Sequence, residues 1–189
     1  KPSDAKEWAI RMSENGFAYS TINNYKRSLR ASFYIAIQDD YVRKNPFDFQ
    51  LNTVIDDDTV PKTILTREQE ARLLDFAKSD TVYHKNYDEI LILLKTGLRI
   101  SELCGMTVTD LDFENHLILV NHQLLRNTEL GYYIETPKTK SSERQVPMVE
   151  VTCQALKRVL AVQNQNECVE IDGYSNFLFL NRNGYPKTA

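Results

Sequence analysis

An aperiodic stretch over residues 49–64 constrains the fold more than any other feature, because it separates two regions of regular apolar spacing. Its acidic triplet Asp56-Asp57-Asp58 and its proline suit an extended linker better than a core element. A chain of 189 residues is long enough for one large domain or two small ones, since domains commonly have roughly 100–150 residues. We therefore predict one domain over residues 1–50, a linker over 51–64 and a second domain over 65–189.

The composition is that of an ordinary globular protein, with 42% hydrophobic and 26% charged residues. No window approaches the roughly 18 apolar residues of a membrane span, and the first residues lack the pattern of a secretory signal. The three cysteines, Cys104, Cys153 and Cys168, are scattered and lack metal-ligand spacing, so we expect reduced thiols. These features exclude the membrane and disulfide-stapled classes and predict a cytoplasmic protein.

Two amphipathic helices are predicted in the first domain. The first covers residues 4–15 and ends at Gly16, a residue that suits the left-handed conformation closing many helices. The second follows the candidate hydroxyl N-caps Tyr19-Ser20-Thr21, and its apolar side chains recur at three- and four-residue spacing. The predicted buried face of this second helix consists of Ile22, Tyr25, Leu29, Phe33 and Ala36.

The opposite face of the second helix carries amides and guanidiniums, namely Asn23, Asn24, Arg27 and Arg30. These groups suit both the phosphates and the base edges of DNA, although a solvated helix face has the same composition. The net charge of −3 argues against a nucleic-acid protein when the charge of the whole chain is the guide. Residues 20–44 nevertheless carry five basic residues against two acidic ones, while the acidic triplet lies in the predicted linker. Periodicity alone leaves both interpretations open.

The second domain is predicted to be mainly α-helical with a small antiparallel β-sheet. Thr66-Arg67-Glu68-Gln69 has the spacing of a capping box and opens a helix that ends near Lys78. The apolar residues of that helix available for the core are Leu73, Leu74 and Phe76. Further helices are predicted over residues 88–95 and 148–162, and the β-prone runs are residues 117–120, 132–135 and 145–148.

The segment Thr96-Gly97-Leu98-Arg99 precedes a short helical stretch that contains Glu102. The glycine allows a turn that places Arg99 at a helix start, where a guanidinium and helix amides can face one phosphate. Glu102 lies three residues later on the same helix face and can orient a basic neighbour. The alternative is a surface arginine with a local glutamate partner.

This segment resembles the first catalytic-arginine box of the tyrosine recombinases, the family of phage and conjugative-transposon integrases. Asp110-Leu111-Asp112-Phe113 and residues 137–148, which begin Pro137-Lys138-Thr139-Lys140, match the same family in the same order. Residues 21–47, ending in Asn45-Pro46-Phe47, resemble its helical core-binding domain. The resemblance implies an N-terminally incomplete SAM-like core-binding domain followed by a C-terminally incomplete catalytic domain.

In this family a tyrosine attacks the scissile phosphate, so that DNA is cut and rejoined through a 3′-phosphotyrosyl intermediate without a metal, ATP or another cofactor. The resemblance implies that Arg99 stabilises the non-bridging oxygens, that Lys138 acts as general acid, and that Glu102 holds the site together. Lys140 competes with Lys138, because two lysines two residues apart in a strand point to the same side. Arg144 is predicted to contact the DNA backbone or a local carboxylate. The predicted DNA-binding residues are Thr21, Asn24, Arg27, Arg30, Lys140 and Arg144.

The implied partners are double-stranded DNA and, in the parent enzyme, further copies of the same protein in a dimeric or tetrameric synapse. No membrane or small-molecule partner is expected, and the implied location is the bacterial cytoplasm, in association with the nucleoid. An insert over residues 121–133 could contact DNA or another protomer, or could be no more than a longer hairpin. The family's second His and Arg box and its tyrosine nucleophile find no match, because His84, His116 and His122 lack the H-x-x-R context. We expect surface or sheet histidines and a fragment that binds DNA without cleaving it.

Two other functions share part of this pattern. A DNA-binding regulator without catalytic activity would explain the basic helix, but not the arginine box and the lysine segment in order. A type IB topoisomerase shares the chemistry and relaxes supercoils, whereas the helical domain ending in Asn45-Pro46-Phe47 favours a recombinase. A suicide duplex mixed with the full-length enzyme would separate the three classes.

Overall fold

The computed structural model describes residues 1–136, 143–162 and 169–188. It falls into two compact units, Lys1–Ile64 and Leu65–Ala189. The fold is mainly α-helical with small antiparallel sheets, as the sequence predicts. None of the helices in the described ranges is long and apolar enough to cross a membrane.

The first unit is built on helices α1 (Pro2–Glu14) and α2 (Tyr19–Gln38). Gly16, with φ of +81°, lies in the turn between them, where a residue with a side chain would be strained. The predicted hydroxyl N-cap of α2 is wrong, because the cap position is Ala18 and no side chain caps the helix. The helix begins at Tyr19, so Thr21 lies within its first turn.

The core of this unit includes residues that the sequence assigned to the linker. Leu51 is buried in a cluster with Ala9 and Ile22, and its neighbours Val54 and Ile55 pack against that cluster. The linker predicted from residue 51 is therefore wrong over its first five positions, since three apolar side chains there complete the helical core. Residues 56–64 are exposed and form no regular secondary structure.

The buried face of α2 differs from the prediction at one step of the helix. Tyr25 is 51% exposed, whereas Lys26 is 7% exposed and its Nζ lies 4.8 Å from the ring centroid of Phe49. The methylene stem of a lysine can pack against apolar surface while its ammonium faces an aromatic ring. The contact with Phe49, which is remote in sequence, accounts for a lysine at this buried position.

The second unit begins with the predicted capped helix, α3 (Arg67–Ser79). The capping box is confirmed: the Gln69 amide donates to Thr66 Oγ1 at 3.2 Å, and the Thr66 amide donates to Gln69 Oε1 at 2.9 Å. The predicted core residues Leu73 and Phe76 are wrong, because they are 38% and 52% exposed. Ala77 is the buried residue of α3, and Leu74 is partly buried.

Three further helices follow in the described residues, α4 (Tyr87–Thr96), α5 (Ile100–Gly105) and α6 (Glu150–Val162). The strands form two sheets rather than the single predicted one. A three-stranded antiparallel sheet has the order β1-β2-β5, and β3 and β4 pair as a separate antiparallel hairpin. The strands are β1 (Leu111–Asp112), β2 (Leu117–Val120), β3 (Gln123–Asn127), β4 (Gly131–Glu135) and β5 (Arg144–Pro147).

Helix α5 contributes to two hydrophobic clusters. Leu103 belongs to the main core, and its neighbour Cys104 belongs to a second cluster that includes Leu124 of β3. A Cβ atom on Gly105 would lie 2.8 Å from the Leu124 backbone nitrogen, so only glycine permits this approach of α5 to the hairpin. The short helix is thus held on both sides, which fixes the position of the residue that precedes it.

Candidate active site

Arg99 lies between α4 and α5, at the N-cap position of α5. Gly97 ends α4 in the left-handed conformation with φ of +65°, and its amide donates to the Leu93 carbonyl at 3.0 Å. Leu98 is then buried, which turns the chain so that the next side chain faces outward. The Arg99 side chain is accordingly 69% exposed.

Glu102 is the buried partner of this exposed arginine, with a side chain only 7% exposed. Its Oε1 accepts a hydrogen bond from Arg99 Nη1 at 2.7 Å, and its Oε2 accepts one from the Arg99 backbone amide at 2.7 Å. The structure therefore brings together the two residues that the Thr96-Gly97-Leu98-Arg99 segment singled out. The Arg99 backbone amide is occupied by the carboxylate and is not available to a phosphate.

Arg144 joins the same carboxylate from the start of β5. Its Nη1 donates to Glu102 Oε1 at 2.9 Å and its Nη2 donates to Glu102 Oε2 at 2.7 Å, which is a two-pronged contact. Arg144 therefore contacts a carboxylate, as one of its two predictions had it. That carboxylate is 42 positions away in sequence, so the prediction of a local one is wrong. We call Arg99, Glu102 and Arg144 the arginine–carboxylate cluster.

The electrostatics of the cluster keep Glu102 ionised. Burial by itself raises the pKa of Glu102, but the hydrogen bonds from Arg144, from the Arg99 amide and from the Arg99 side chain outweigh it and lower the pKa to about 2. Two guanidiniums then share one carboxylate, and the cluster carries a net positive charge. Because the Arg99 side chain is the most exposed of the three, an anion can reach that charge through it.

This ionised carboxylate should make folding stability depend on acid pH. A carboxyl whose pKa is lowered on folding stabilises the native state above its ordinary pKa of 4.5, and the contribution is lost as the pH falls towards 2. Each tenfold difference in proton affinity corresponds to about 1.4 kcal/mol, so Glu102 contributes at most about 3 kcal/mol. Urea unfolding of the chain and of its Glu102→Gln variant should differ most at pH 7 and converge as the pH approaches 2. A difference that is constant with pH would contradict this assignment.

Lys138 and Lys140 lie outside the described residues, in the sequence between the end of β4 and the start of β5. Their assignment continues to rest on the residue pattern.

The predicted DNA-binding residues of the first unit lie along α2. Asn24 and Arg27 are exposed, and Thr21 is half-buried. Arg30 is engaged with Asp48, whose Oδ1 accepts from Arg30 Nε at 3.0 Å and from Nη2 at 2.6 Å. A phosphate would therefore compete with an existing ion pair at Arg30 but not at Arg27, which forms no ion pair with any described residue.

The insert over residues 121–133 contains most of the β3–β4 hairpin, and this hairpin is hydrogen-bonded to α5. Ser101 Oγ donates to Gln123 Oε1 at 2.9 Å, and Gln123 Nε2 donates to Glu135 Oε2 at 2.7 Å. Sequence reasoning missed Ser101 and Gln123, because no local pattern relates residues 22 positions apart. The hairpin thereby supports the helix that follows Arg99.

His122 has neither the surface nor the sheet position that the sequence predicts for the histidines, because it lies between β2 and β3 and is buried. His122 is 4% exposed; its Nε2 contacts the Gly105 carbonyl oxygen at 2.7 Å, and its ring packs on Tyr174 with centroids 4.2 Å apart. This contact further supports the end of α5.

His116 Nδ1 lies 3.2 Å from the Cys153 sulfur, and Cys104 and Cys153 are free and buried. Cys168 lies outside the described residues. No group of three or more His, Cys, Asp or Glu residues in the described part of the chain could hold a metal ion.

Comparison with known proteins finds relatives in both sequence and fold. The chain is 77% identical over its whole length to the transposase from transposon Tn916 of Enterococcus faecalis, and it spans about half (47%) of that relative. Among solved structures, it matches the Tn1549 transposon integrase in complex with a circular intermediate DNA, with a TM-score of 0.95 and 62% identity. That match covers 100% of this chain and 60% of the integrase. The same integrase in complex with transposon right end DNA matches with a TM-score of 0.93 and 62% identity, over 100% of this chain and 59% of that one.

The model of the phage integrase family matches residues 63–189, which is most of the chain. The family predicted from the arginine box and the lysine segment is therefore confirmed. The chain belongs to the phage integrase family, that of the tyrosine recombinase integrases.

Proposed function

We propose that this chain forms the core-binding domain and the first part of the catalytic domain of a site-specific DNA recombinase. The complete enzyme would cut and rejoin DNA through a 3′-phosphotyrosyl intermediate, with a tyrosine that has no match among these residues. The observation that carries the proposal is the arginine–carboxylate cluster, which offers one exposed guanidinium and a net positive charge. The relationship to transposases and integrases supplies the reaction class.

Arg99 would bind the scissile phosphate. Its guanidinium is held at one nitrogen by Glu102, and 69% of the side chain is exposed, so its remaining N–H groups can donate to non-bridging oxygens. Negative charge grows on these oxygens in the pentacoordinate transition state, and a donor already in place stabilises it without reorganisation. Glu102 would keep the guanidinium in this orientation.

Lys138 would donate the proton that the leaving 5′ oxygen requires, with Lys140 as the competing candidate. An alkoxide is a poor leaving group, so a positioned ammonium accelerates its departure. The proposal for either lysine rests on the match of residues 137–148 to the family's lysine segment.

Double-stranded DNA is the proposed partner of the α2 face that carries Thr21, Asn24, Arg27 and Arg30. The matching Tn1549 integrase structures are complexes with DNA, and the exposed amide and guanidiniums of this face suit phosphates and base edges. Lys140 would add a phosphate contact in the second unit, and Arg144 is considered below. We further propose that the complete protein acts at the bacterial nucleoid and assembles as a dimer or tetramer on its DNA site.

Replacing Arg27 and Arg30 together by alanine should weaken DNA binding with little effect on folding stability. Removing one phosphate contact should reduce the slope of log K against log salt by roughly 0.9. Arg30 also gives up an ion pair with Asp48, but exposed ion pairs contribute little to stability because solvent screens them. Binding is measured by fluorescence anisotropy over a salt series, and stability by urea unfolding.

The matched control replaces Lys6 and Arg11 of α1, which removes the same charge from the same unit. It should change affinity and salt slope less than the α2 pair does. Equal effects of the two pairs would mean that the α2 residues form an ordinary solvated face.

A chimera tests the proposed reaction. This chain replaces the matching segment of the Tn916 transposase, with which it is 77% identical along its whole length. The chimera is mixed with a radiolabelled suicide duplex, and the unaltered transposase serves as the reference. A covalent protein–DNA adduct with strand exchange supports the proposal. Relaxation of supercoiled DNA alone would indicate a topoisomerase, and binding with neither activity would indicate a regulator.

A further inference from the structure

We propose that Arg144 is a positioning residue for the proposed cleavage reaction, acting through Glu102 to hold Arg99 in place. Its positive charge also balances the Glu102 carboxylate, so that the charge of Arg99 is not neutralised. This rests on the proposed function and deepens it. It also assigns Arg144 a role different from the DNA-backbone contact, which was one of the two contacts that the sequence predicted for it.

The geometry of the contact supports a positioning role. The two Nη nitrogens of Arg144 donate one to each oxygen of Glu102, at 2.9 Å and 2.7 Å, so both prongs of its fork are used by the carboxylate. The Arg144 side chain is 33% exposed, about half as exposed as that of Arg99. Arg144 is therefore the arginine committed to Glu102, and Arg99 is the one available to a ligand.

Charge supports the same assignment. With Arg99 alone, the Glu102 carboxylate would neutralise the guanidinium that has to attract a phosphate. Arg144 supplies a second positive charge to the same carboxylate, so the cluster has one charge in excess. Because Glu102 is buried and the Arg99 side chain is exposed, the excess charge can be approached at Arg99.

The two elements that carry the contact are anchored separately. Arg144 begins β5 and pairs with Val120 of β2, and Val146 of the same strand is buried in the main core. Glu102 lies on α5, whose Leu103 and Cys104 enter two different clusters. Because each element has apolar contacts of its own, the ion pair can transmit the position of the sheet to the carboxylate.

The experiment uses the chimera with the Tn916 transposase and measures adduct formation in single turnover at saturating DNA, together with the DNA Kd over a salt series. Arg144→Gln should slow the rate roughly 10–100-fold, the usual effect of removing the partner that orients a functional group. In Arg144→Lys, which keeps the charge of the cluster, the salt slope of DNA binding should stay unchanged. Arg144→Lys should recover part of the rate, because an ammonium keeps the ion pair but cannot engage both oxygens in the same plane.

The control is Arg158→Gln, which removes another two-pronged arginine contact of the same unit, that of Arg158 on Asp88. It should leave the rate at saturating DNA unchanged. In a Glu102→Gln background, Arg144→Gln should cause little further slowing, since its effect passes through the carboxylate.

Three results would overturn the inference. One is an unchanged rate in Arg144→Gln. Another is full additivity of the Arg144 and Glu102 changes. The third is a salt slope reduced by roughly 0.9 with the saturated rate intact, which would make Arg144 a phosphate contact.

If Arg144→Gln does not fold, Arg144→Lys decides alone: a slower saturated rate with an unchanged slope supports positioning, and a wild-type rate contradicts it. If the chimera carrying unchanged Arg144 makes no adduct while the transposase does, the result contradicts the proposed function of the chain, not the role of Arg144 within it.

Discussion

Lys138→Ala in the chimera is expected to slow cleavage of a normal phosphodiester by roughly 10²–10⁴-fold, the usual size of general-acid assistance. A substrate with a 5′-bridging sulfur at the cleavage point should restore the rate of this variant. The reason is that a thiolate leaves readily without a proton, whereas an alkoxide does not. The measurement is the single-turnover rate of adduct formation on both substrates, at saturating DNA.

Lys140→Ala is the matched comparison, because Lys138 and Lys140 are of the same type and are separated by one residue. It should cleave the normal substrate far faster than Lys138→Ala and gain little from the sulfur. If Lys140→Ala instead shows the rescue and Lys138→Ala does not, the general acid is Lys140 and the assignment of Lys138 within the segment is wrong.

Arg99→Ala is expected to slow cleavage by roughly 10²–10³-fold on both substrates. It removes donors from the non-bridging oxygens, and sulfur in the bridging position does not replace them. The variant should fold, because the buried Glu102 carboxylate keeps both hydrogen bonds from Arg144. Thermal unfolding and the two cleavage rates together test this.

Arg158→Ala serves as the control for loss of an arginine that is paired with a carboxylate elsewhere in the unit. Its cleavage rate should equal that of the unaltered chimera on both substrates. Rescue of Arg99→Ala by the bridging sulfur would mean that Arg99 assists the leaving group instead of the non-bridging oxygens, and that the two proposed roles are not separate.

Local patterns were sufficient for the features whose partners lie within one helical turn. The capping box of Thr66 and Gln69 spans three residues, and so does the contact of Arg99 with Glu102. Residues at this spacing meet on one side of a helix start whatever the rest of the chain does. The acidic partner of Arg99 could therefore be named from its spacing, whereas the arginine box itself was identified by its resemblance to the tyrosine recombinases.

Which residues become buried depended on partners remote in the chain. Tyr25 and Lys26 are adjacent on an amphipathic helix, but Lys26 is the buried one and its ammonium faces the ring of Phe49. Leu73 and Phe76 have the apolar character of core residues, yet the packed side of α3 is centred on Ala77. Periodicity predicts that a helix has a buried face, but the neighbouring elements determine where that face lies.

The candidate site shows the same division. The sequence by itself was enough for the family and the fold class, through the resemblance of the arginine box and the lysine segment to the tyrosine recombinases. It was also enough for the pairing of Arg99 with Glu102, because these residues are three positions apart at a helix start. Only the tertiary structure decided that Arg144 completes the cluster. The same is true of the two contacts that support α5, one from Gln123 of the hairpin and one from His122, the residue before it. These contacts join residues 17 to 42 positions apart, and such contacts form only when the packing of the sheet, the hairpin and the helix brings their side chains within hydrogen-bonding distance.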